Sequence, residues 1–440
     1  MGCWRKIPGA SGLSTLQALR IMWYVSTRGM APRVDFEGAL FSGYAPDGGL
    51  FMPEKLPQLD KETLRRWSAL SYPGLVTELC ALFIGPELIP RDDLSGTSGD
   101  TGSAAIESVQ GTKNVDIVVL LPKGHCTKIQ ELQMTTVLKE NVRVFAVEGN
   151  SDELDEPIKA VFADVAFVKK HNLMSLNSIN WSRILVQIAH HFFAYFRCVP
   201  SLDVHPLPRV EVVVPTGAAG NLAAGCIAQR MGLPIHLVTA VNCNDIIHRT
   251  VQQGDFSLSE TIKPTLASAM DIQVPYNMER IFWLLSDCNS LVTRALMEQF
   301  ERTQSVCLSK ELQSKLSAAM TSESVSDETI TQTMVRCWEE NQYLLCPHSA
   351  VAVSYHYQKL HGQAPSTPRC CLAPASAAKF QEAVLAAGLT PEIPSEILAL
   401  ERKETRCTLM RKRDDWMLML RDTIEDMGRQ WRDRFLNAAE

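Results

Sequence analysis

Two loops rich in glycine and small polar residues carry the most specific chemistry in this sequence. The first, SGTSGDTG, runs from Ser95 to Gly102, and the second, PTGAAGN, runs from Pro215 to Asn221. Each precedes a segment whose apolar spacing predicts a helix, so backbone N–H groups converge at the start of a helix dipole. Such an arrangement suits a carboxylate or a phosphate.

The second loop gives the sharper prediction because a strand at 210–214 precedes it and a helix at 222–231 follows it. Its glycines and alanines, with Asn221 as the helix N-cap, let the backbone approach a phosphate closely. The loop is neither GxGxxG nor a P-loop with its lysine, which favours a small phosphorylated cofactor over a dinucleotide or a nucleoside triphosphate. Taken alone, an ordinary strand-to-helix turn explains the loop equally well.

The elements that position these loops alternate between strands and helices. Apolar runs predict strands at 115–121, 142–147, 210–214 and 235–240, and helical spacing predicts helices at 127–139, 153–169 and 222–231. This alternation predicts an α/β fold, with a mostly parallel sheet covered on both faces. Further helices are predicted at 61–84, 305–345, 373–386 and 409–437. The last is amphipathic, and we expect it to dock on the body of the protein rather than on a partner.

The composition argues against a nucleic-acid-binding protein, a membrane-spanning protein and a disulfide- or zinc-stabilised protein. At 440 residues the chain is long enough for two or three domains, and its net charge of −6 gives no basic footprint for nucleic acid. No apolar run reaches about 18 residues, so no membrane span is expected. Thirteen scattered cysteines without a CxxC pair favour buried thiols in a reducing compartment over disulfides or a zinc site.

Residues 1–21 are interpreted as an extension that precedes the folded protein. Residues 1–33 contain no acidic residue but carry five basic ones, as a mitochondrial presequence does. The segment has little amphipathic regularity, however. A cytoplasmic protein is therefore the expectation, and a mitochondrial one is the alternative.

Six motifs, taken in order, resemble those of the threonine synthase family, whose members are fold-type II enzymes that use pyridoxal phosphate (PLP). They are YVSTRG from Tyr24, APDGGL from Ala45, the GTSGDTG loop, SINWSR from Ser178, the PTGAAGN loop and PHSA from Pro347. The resemblance implies an architecture like that of the tryptophan synthase β subunit, with parallel sheets flanked by helices. It also implies an N-terminal domain at 22–94, PLP-dependent catalytic domains at 95–363 and a C-terminal helical region at 364–440.

The resemblance assigns site residues by their place in these motifs. The residues expected to hold PLP, through its phosphate and its pyridine nitrogen, are Gly217, Ala218, Ala219, Gly220, Asn221 and Ser349. The residues expected to hold the substrate are Thr97, Ser98, Gly99, Asp100, Thr101, Asn180 and Arg183. The implied substrates are O-phosphohomoserine and O-phosphothreonine, and the implied phospho-lyase reaction yields 2-oxobutanoate, phosphate and ammonia. No metal is expected, a structural role is favoured for His348 over a general base, and a homodimer is left open.

The family's catalytic lysine is missing from this chain. In the family it lies in a Phe-Lys-Asp segment shortly before the GTSGDTG loop and carries PLP as a Schiff base. Here no lysine occurs between Lys61 and Lys113, and no Phe-Lys or Lys-Asp dipeptide occurs anywhere. The stretch PRDDLS at 90–95 also lacks the apolar run of the strand that should precede such a loop.

We therefore predict that a helix–strand unit is absent near Ser95, as alternative splicing or a faulty gene model would produce. The loss of the lysine and of a sheet strand predicts that the activity implied by the family is impaired. The alternative is a non-catalytic product that binds PLP or a protein partner.

Overall fold

The computed structural model describes residues 22–85, 101–112, 115–360 and 367–437. Its first part is a small N-terminal lobe, made of β1 (Tyr24–Ser26), α1 (Phe36–Leu40), β2 (Phe51–Pro53), α2 (Lys61–Ser68) and α3 (Tyr72–Cys80). Strands β1 and β2 pair in antiparallel fashion. The single helix predicted at 61–84 is wrong: Ser71 interrupts it, because its hydroxyl accepts the Gly74 N–H and caps a new helix.

The next unit alternates between helices and strands, as predicted. It contains α4 (Thr101–Val109), β3 (Ile117–Pro122), α5 (Lys128–Thr135), β4 (Val142–Val147), α6 (Ser151–Ala163) and α7 (Val165–His171). Strands β3 and β4 pair in parallel. The helix predicted at 153–169 is two helices, because Asp164 ends α6 and its carboxylate then caps α7 by accepting the Phe167 N–H.

The largest unit follows. Its elements are α8 (Trp181–Cys198), β5 (Val210–Pro215), α9 (Gly220–Arg230), β6 (Ile235–Val241), α10 (Ile246–Gln253), β7 (Asp255–Ser257), α11 (Met278–Leu285), α12 (Ser290–Thr303), β8 (Ser305–Cys307), α13 (Lys310–Ala319), β9 (Met320–Ser324), α14 (Asp327–Asn341), α15 (Pro347–Lys359) and β10 (Arg369–Cys371). Four of its strands form an all-parallel sheet in the order β10-β5-β6-β9. Side chains of β5 alternate between a core shared with α8 and α9 and a second core shared with α15. These parallel strands with helices on both faces confirm the predicted α/β fold.

The long helix predicted at 305–345 is wrong. The segment contains two strands and two helices, because Ser305–Cys307 pairs antiparallel with β7 and Met320–Ser324 extends the main sheet beside β6. Helices α13 and α14 flank β9.

The C-terminal part returns to the second unit with α16 (Gln381–Ala386), α17 (Ser395–Leu398), β11 (Thr408–Met410) and α18 (Trp416–Asn437). Strand β11 pairs in parallel with β4, which gives the three-stranded order β11-β4-β3. Helix α18 starts later than its predicted boundary at 409, but it packs on α6 and α7 and buries Leu420 and Met427, as expected for docking on the body. In the described ranges no helix is both long and apolar enough to span a membrane.

Candidate functional site

The PTGAAGN loop joins the carboxyl end of β5 to the start of α9, as its sequence predicts. Residues 216–219 connect the two elements, and β5 is an inner strand of the four-stranded sheet. Ligands bind at the carboxyl ends of such strands in parallel α/β folds. Gly217, Ala218 and Asn221 keep part of their surface accessible, whereas Ala219 and Gly220 are buried. The loop therefore presents its backbone, rather than side chains, to the space above the sheet.

The N-cap of α9 is Ala219 and not Asn221, which corrects the sequence prediction. Ala219 takes a left-handed backbone with φ of 61° and has no polar side chain to accept from the first turn of the helix. Asn221 lies inside the helix, and its amide contacts His190 Nδ1 at 3.0 Å and His191 Nε2 at 2.8 Å. The first turn of α9 is thus left without a side-chain cap, which suits an external anion.

A second segment, from the SINWSR motif, covers this loop. A Cβ at Gly220 would lie 2.7 Å from the Ser178 Cβ, so only glycine permits the approach. The Ser178 hydroxyl lies 3.1 Å from the Tyr276 hydroxyl and accepts from the Asn277 amide at 2.9 Å. Asn277 also donates to the Ala218 carbonyl at 3.0 Å, so it joins the covering segment to the loop.

Arg280 holds this covering segment in place, and the sequence reading missed it. The side chain is completely buried, and its guanidinium donates to the carbonyls of Ser178 and Ile179 at 2.7 Å each, to Phe51 at 3.3 Å and to the Asn277 side chain. Burial lowers the pKa of Arg280 to about 10. One arginine therefore connects the N-terminal lobe, the SINWSR segment and the residues beside the PTGAAGN loop.

The YVSTRG motif also has a structural explanation. Arg28 forms hydrogen bonds with both carboxylate oxygens of Glu279, the neighbour of Arg280, at 3.1 Å each. The Thr27 hydroxyl donates to the same carboxylate at 2.6 Å, and Arg28 also pairs with Glu301. This motif anchors the N-terminal lobe on α11, next to the candidate site.

Ser349 lies in the first turn of α15, and its neighbour His348 contacts a segment that lies beside the PTGAAGN loop. His348 Nε2 accepts the Ala269 N–H at 3.1 Å, and the Ala269 carbonyl would lie 3.2 Å from a Cβ at Gly217. The Ser349 hydroxyl itself is buried 3.1 Å from the Cys346 thiol. His348 thus links α15 to the loop, in keeping with the structural role that the sequence favoured.

Asn180 has a structural role at the start of α8, and the substrate contact that we expected of it stays a prediction. It is the N-cap of α8: its amide oxygen accepts the Ser182 N–H at 2.9 Å, and its amide nitrogen donates to the carbonyls of Leu40 and Ser42 at 2.7 and 3.0 Å. These contacts occupy the side chain. Arg183, one turn into α8, is partly exposed and donates to the Leu176 carbonyl at 3.2 Å.

The predicted substrate loop lies largely outside the described residues. Thr97, Ser98, Gly99 and Asp100 lie outside the described residues, and Thr101 is the first residue of α4. Met134 would lie 2.8 Å from a Cβ at Gly102, which places the start of α4 against α5. The substrate contacts of this loop therefore stay predictions.

Comparison with known proteins identifies the family. Two family models, "Threonine synthase N terminus" and "Threonine synthase, C-terminal", match residues 23–100 and 349–419. A human protein described as "Threonine synthase-like 2" is 72% identical, and the alignment covers 95% of this chain and 100% of that protein. The chain belongs to the threonine synthase family. More distantly, the threonine synthase of Pseudomonas aeruginosa is 32% identical, over 88% of this chain and 96% of that one.

Solved threonine synthase structures support the family fold. Yeast threonine synthase matches with a TM-score of 0.80 at 30% identity, over 93% of this chain and 99% of that one. The PLP-bound threonine synthase of Brucella melitensis matches with a TM-score of 0.77 at 29% identity, over 93% and 100%. The architecture is that of PLP fold-type II threonine synthases.

The family alignments also contain residues that have no counterpart in this chain. The human relative aligns along its whole length over 484 positions, whereas 95% of 440 residues is about 418. About 66 positions therefore carry residues of the relative alone. The Pseudomonas enzyme gives about 69, since 88% of this chain is about 387 residues in an alignment of 456 positions.

Proposed function

We propose that this chain is a PLP-binding member of the threonine synthase family whose lyase activity is impaired. The proposed parent reaction converts O-phosphohomoserine or O-phosphothreonine, with uptake of one water, into 2-oxobutanoate, phosphate and ammonia. The observation that carries the proposal is the combination of an uncapped α9 start at the end of β5 with the absence of any lysine between Lys61 and Lys113.

The residues of the PTGAAGN loop fit the phosphate end of PLP. When bound, PLP acts as an electron sink for bonds next to the amino-acid carbon. The N–H groups at the start of α9 would hold its phosphate, and the Ser349 hydroxyl would hydrogen-bond its ring nitrogen. A neutral hydroxyl at the ring, rather than a carboxylate, is the partner that the family resemblance associates with elimination. Arg183 would hold the substrate phosphate, because a guanidinium offers two parallel donors to phosphate oxygens.

The residues present do not fit the aldehyde end of PLP. Covalent attachment needs a lysine whose amine faces the cofactor. The two described lysines that follow the GTSGDTG loop most closely are turned to solvent: Lys123 is half exposed and faces Glu148 at 3.8 Å, and Lys128 is exposed at the start of α5. PLP held by the phosphate loop alone would exchange freely with solution.

We attribute the missing lysine to loss of an internal segment, through alternative splicing or a faulty gene model. About 66 positions without a counterpart in the human alignment exceed the length of one helix–strand unit. Strand β3 supports a location near Ser95: among the described residues it pairs only with β4, and its outer edge is where a strand preceding α4 would pair. We propose a cytoplasmic location, with a mitochondrial one as the alternative.

A titration with PLP tests this proposal on the full chain. The expected result is saturable binding that gel filtration reverses, no PLP–lysine peptide after borohydride reduction of the filtered protein, and no phosphate released from O-phosphothreonine. A stoichiometric lysine adduct together with phosphate release would show that the activity is intact and that the proposal is wrong. Absence of saturable binding would refute the intact phosphate site.

Matched glycine variants separate the loop from general destabilisation. Gly217→Val places a side chain against the Ala269 carbonyl and should weaken PLP binding. Gly74→Ala, in the N-terminal lobe, meets only ordinary contacts of 3.4 Å or more and should bind PLP as the parent chain does. Equal PLP affinity in Gly217→Val, Gly74→Ala and the parent chain would show that PLP does not bind at the PTGAAGN loop.

The second candidate function, non-catalytic binding of PLP or of a protein partner, follows from the same site. The docked face of α18 disfavours a partner at this helix, because Arg421 pairs with Asp164 and Lys170 with Glu425 across the contact with α7. PLP binding without turnover is therefore the form of this alternative that the structure supports. Measurement of phosphate release distinguishes it from residual lyase activity.

A further inference from the structure

One face of α8 carries a row of polar side chains that runs past the start of α9. Arg183, Gln187 and His190 are spaced by four and three residues, so they lie on the same side of the helix, with the next histidine beside them. The two histidines bind the Asn221 side chain. Its amide nitrogen donates to His190 Nδ1 at 3.0 Å, and its amide oxygen accepts from His191 Nε2 at 2.8 Å. The polar row therefore lies along the first turn of α9.

Gln187 comes one turn before these histidines and lies beside Gly220, the residue that precedes Asn221. A Cβ at Gly220 would lie 3.2 Å from Gln187 Oε1 and 2.9 Å from the Ser178 hydroxyl. Gln187 therefore borders the first residue of α9, although it belongs to another helix. The sequence gave no signal for this contact, because Gln187 lies outside the loop motif that it approaches.

The side-chain oxygen of Gln187 is buried without a partner. Among the described residues no donor forms a hydrogen bond to this Oε1 atom. Most buried polar atoms in proteins are paired, so an unpaired one beside a candidate binding site points to a group that binds there. The side chain as a whole is only partly buried, which leaves the terminal amide room to rotate. Rotation about its last torsion exchanges the oxygen with the NH2 group, which has two donors.

We propose that Gln187 is a further ligand of the cofactor phosphate, and that its amide NH2 group donates to a phosphate oxygen held at the start of α9. This inference rests on the proposed function, because it takes the PTGAAGN loop as the phosphate site. The loop offers backbone N–H groups and no charged side chain, so an anion bound there gains from an additional donor. Helix α8 would then serve both phosphates, with Arg183 at the substrate and Gln187 one turn further at the cofactor.

Ligands with and without a phosphate test the proposal on the full chain. Pyridoxamine 5′-phosphate and pyridoxamine differ only in that group, and neither carries the aldehyde that reacts with exposed lysines. The quantity measured is the ratio of their dissociation constants, from quenching of tryptophan fluorescence. Gln187→Met keeps a side chain of similar length but has no amide. It should reduce the preference for the phosphorylated ligand about tenfold, as expected for one lost hydrogen bond to an anion, and leave pyridoxamine affinity unchanged.

Two further variants sharpen the test. Gln187→Glu places a carboxylate beside the phosphate and should reduce the preference further, because like charges repel. Gln332→Met, at an exposed glutamine on α14, should keep the parental preference.

The outcomes separate this inference from the proposed function. An unchanged preference in both Gln187 variants, or an equal loss of affinity for the two ligands, would overturn the inference and leave the proposed function standing. A parent chain that binds both ligands equally would instead show that the PTGAAGN loop holds no phosphate, and would refute the proposed function together with this inference.

Discussion

Replacing Arg280 by methionine should destabilise the protein and loosen the cover of the candidate site. Methionine fills a similar volume but has no donor, so four oxygen acceptors lose their charged partner: the carbonyls of Phe51, Ser178 and Ile179, and the Asn277 side chain. The site is closed to water around a side chain that is 0% exposed. The acceptors would therefore stay unsatisfied rather than bind solvent.

The change in the free energy of unfolding has two opposing parts. Losing the four hydrogen bonds destabilises the folded protein, whereas removing a charge from its interior stabilises it. A buried acceptor left without a partner costs about 1–3 kcal/mol, so four of them give an upper limit of about 12 kcal/mol. The buried guanidinium has no direct carboxylate partner, so its removal also ends a desolvation penalty and offsets part of this loss. We expect a net loss of about 3–5 kcal/mol in the free energy of unfolding, a large share of the 5–15 kcal/mol that is typical of a domain.

Urea unfolding followed by tryptophan fluorescence measures this loss, with the exposed Arg302→Met on α12 as the matched control. Arg280→Lys should fall between the parent chain and Arg280→Met, because one ammonium cannot reach all four acceptors. The PLP affinity of Arg280→Met should also fall, since Ser178 covers the PTGAAGN loop. An Arg280→Met midpoint equal to that of Arg302→Met would refute the assigned role.

Three further predictions concern the loop, a buried histidine and the N-terminal anchor. Gly220→Val should lower PLP affinity at least about tenfold in a fluorescence titration, because even its Cβ would overlap Ser178; parental affinity would contradict the packing. Complete burial lowers the pKa of His191 to about 4, so the unfolded chain takes up the proton first as the pH falls. Stability should drop by about 3 kcal/mol between pH 6.5 and 4, and His191→Gln should flatten this part of the curve of unfolding free energy against pH. Arg28→Met leaves the buried Glu279 without its charged partner and should lower the free energy of unfolding in urea by about 3–5 kcal/mol. Glu301→Gln changes a half-exposed carboxylate and should lower it by under about 1 kcal/mol. Equal effects of the two variants would rule out the buried pair as the anchor.

The sequence was most informative where local pattern and tertiary structure agree. The apolar runs at 142–147, 210–214 and 235–240 became strands of parallel sheets, because strands covered on both faces are nearly continuous in apolar residues. The PTGAAGN loop was located correctly for a related reason: only small residues can form that turn. The short strands β8 and β9 escaped prediction, since Ser305–Cys307 and Met320–Ser324 have no long apolar run and depend on neighbouring strands for their pairing.

Side-chain roles were harder to predict, because they depend on contacts between distant segments. Arg280 reads as a charged residue within an apolar helix, and its function appears only when residues 51, 178 and 179 surround it. Asn180 and Asn221 both resemble ligand-binding amides in sequence. The fold uses the first to cap α8 and the second to bind two histidines of that helix.

The edge of β3 has a consequence for the fate of the chain in a cell. Among the described residues, the backbone N–H and C=O groups on the outer edge of β3 pair with no other strand. The side chains of Val118, Val119 and Leu120 in this strand are only partly buried. Such an edge can template pairing with the same segment of another molecule, which leads to aggregation. We expect the soluble yield to fall with rising expression, and chaperones and proteases to set the lifetime of the chain.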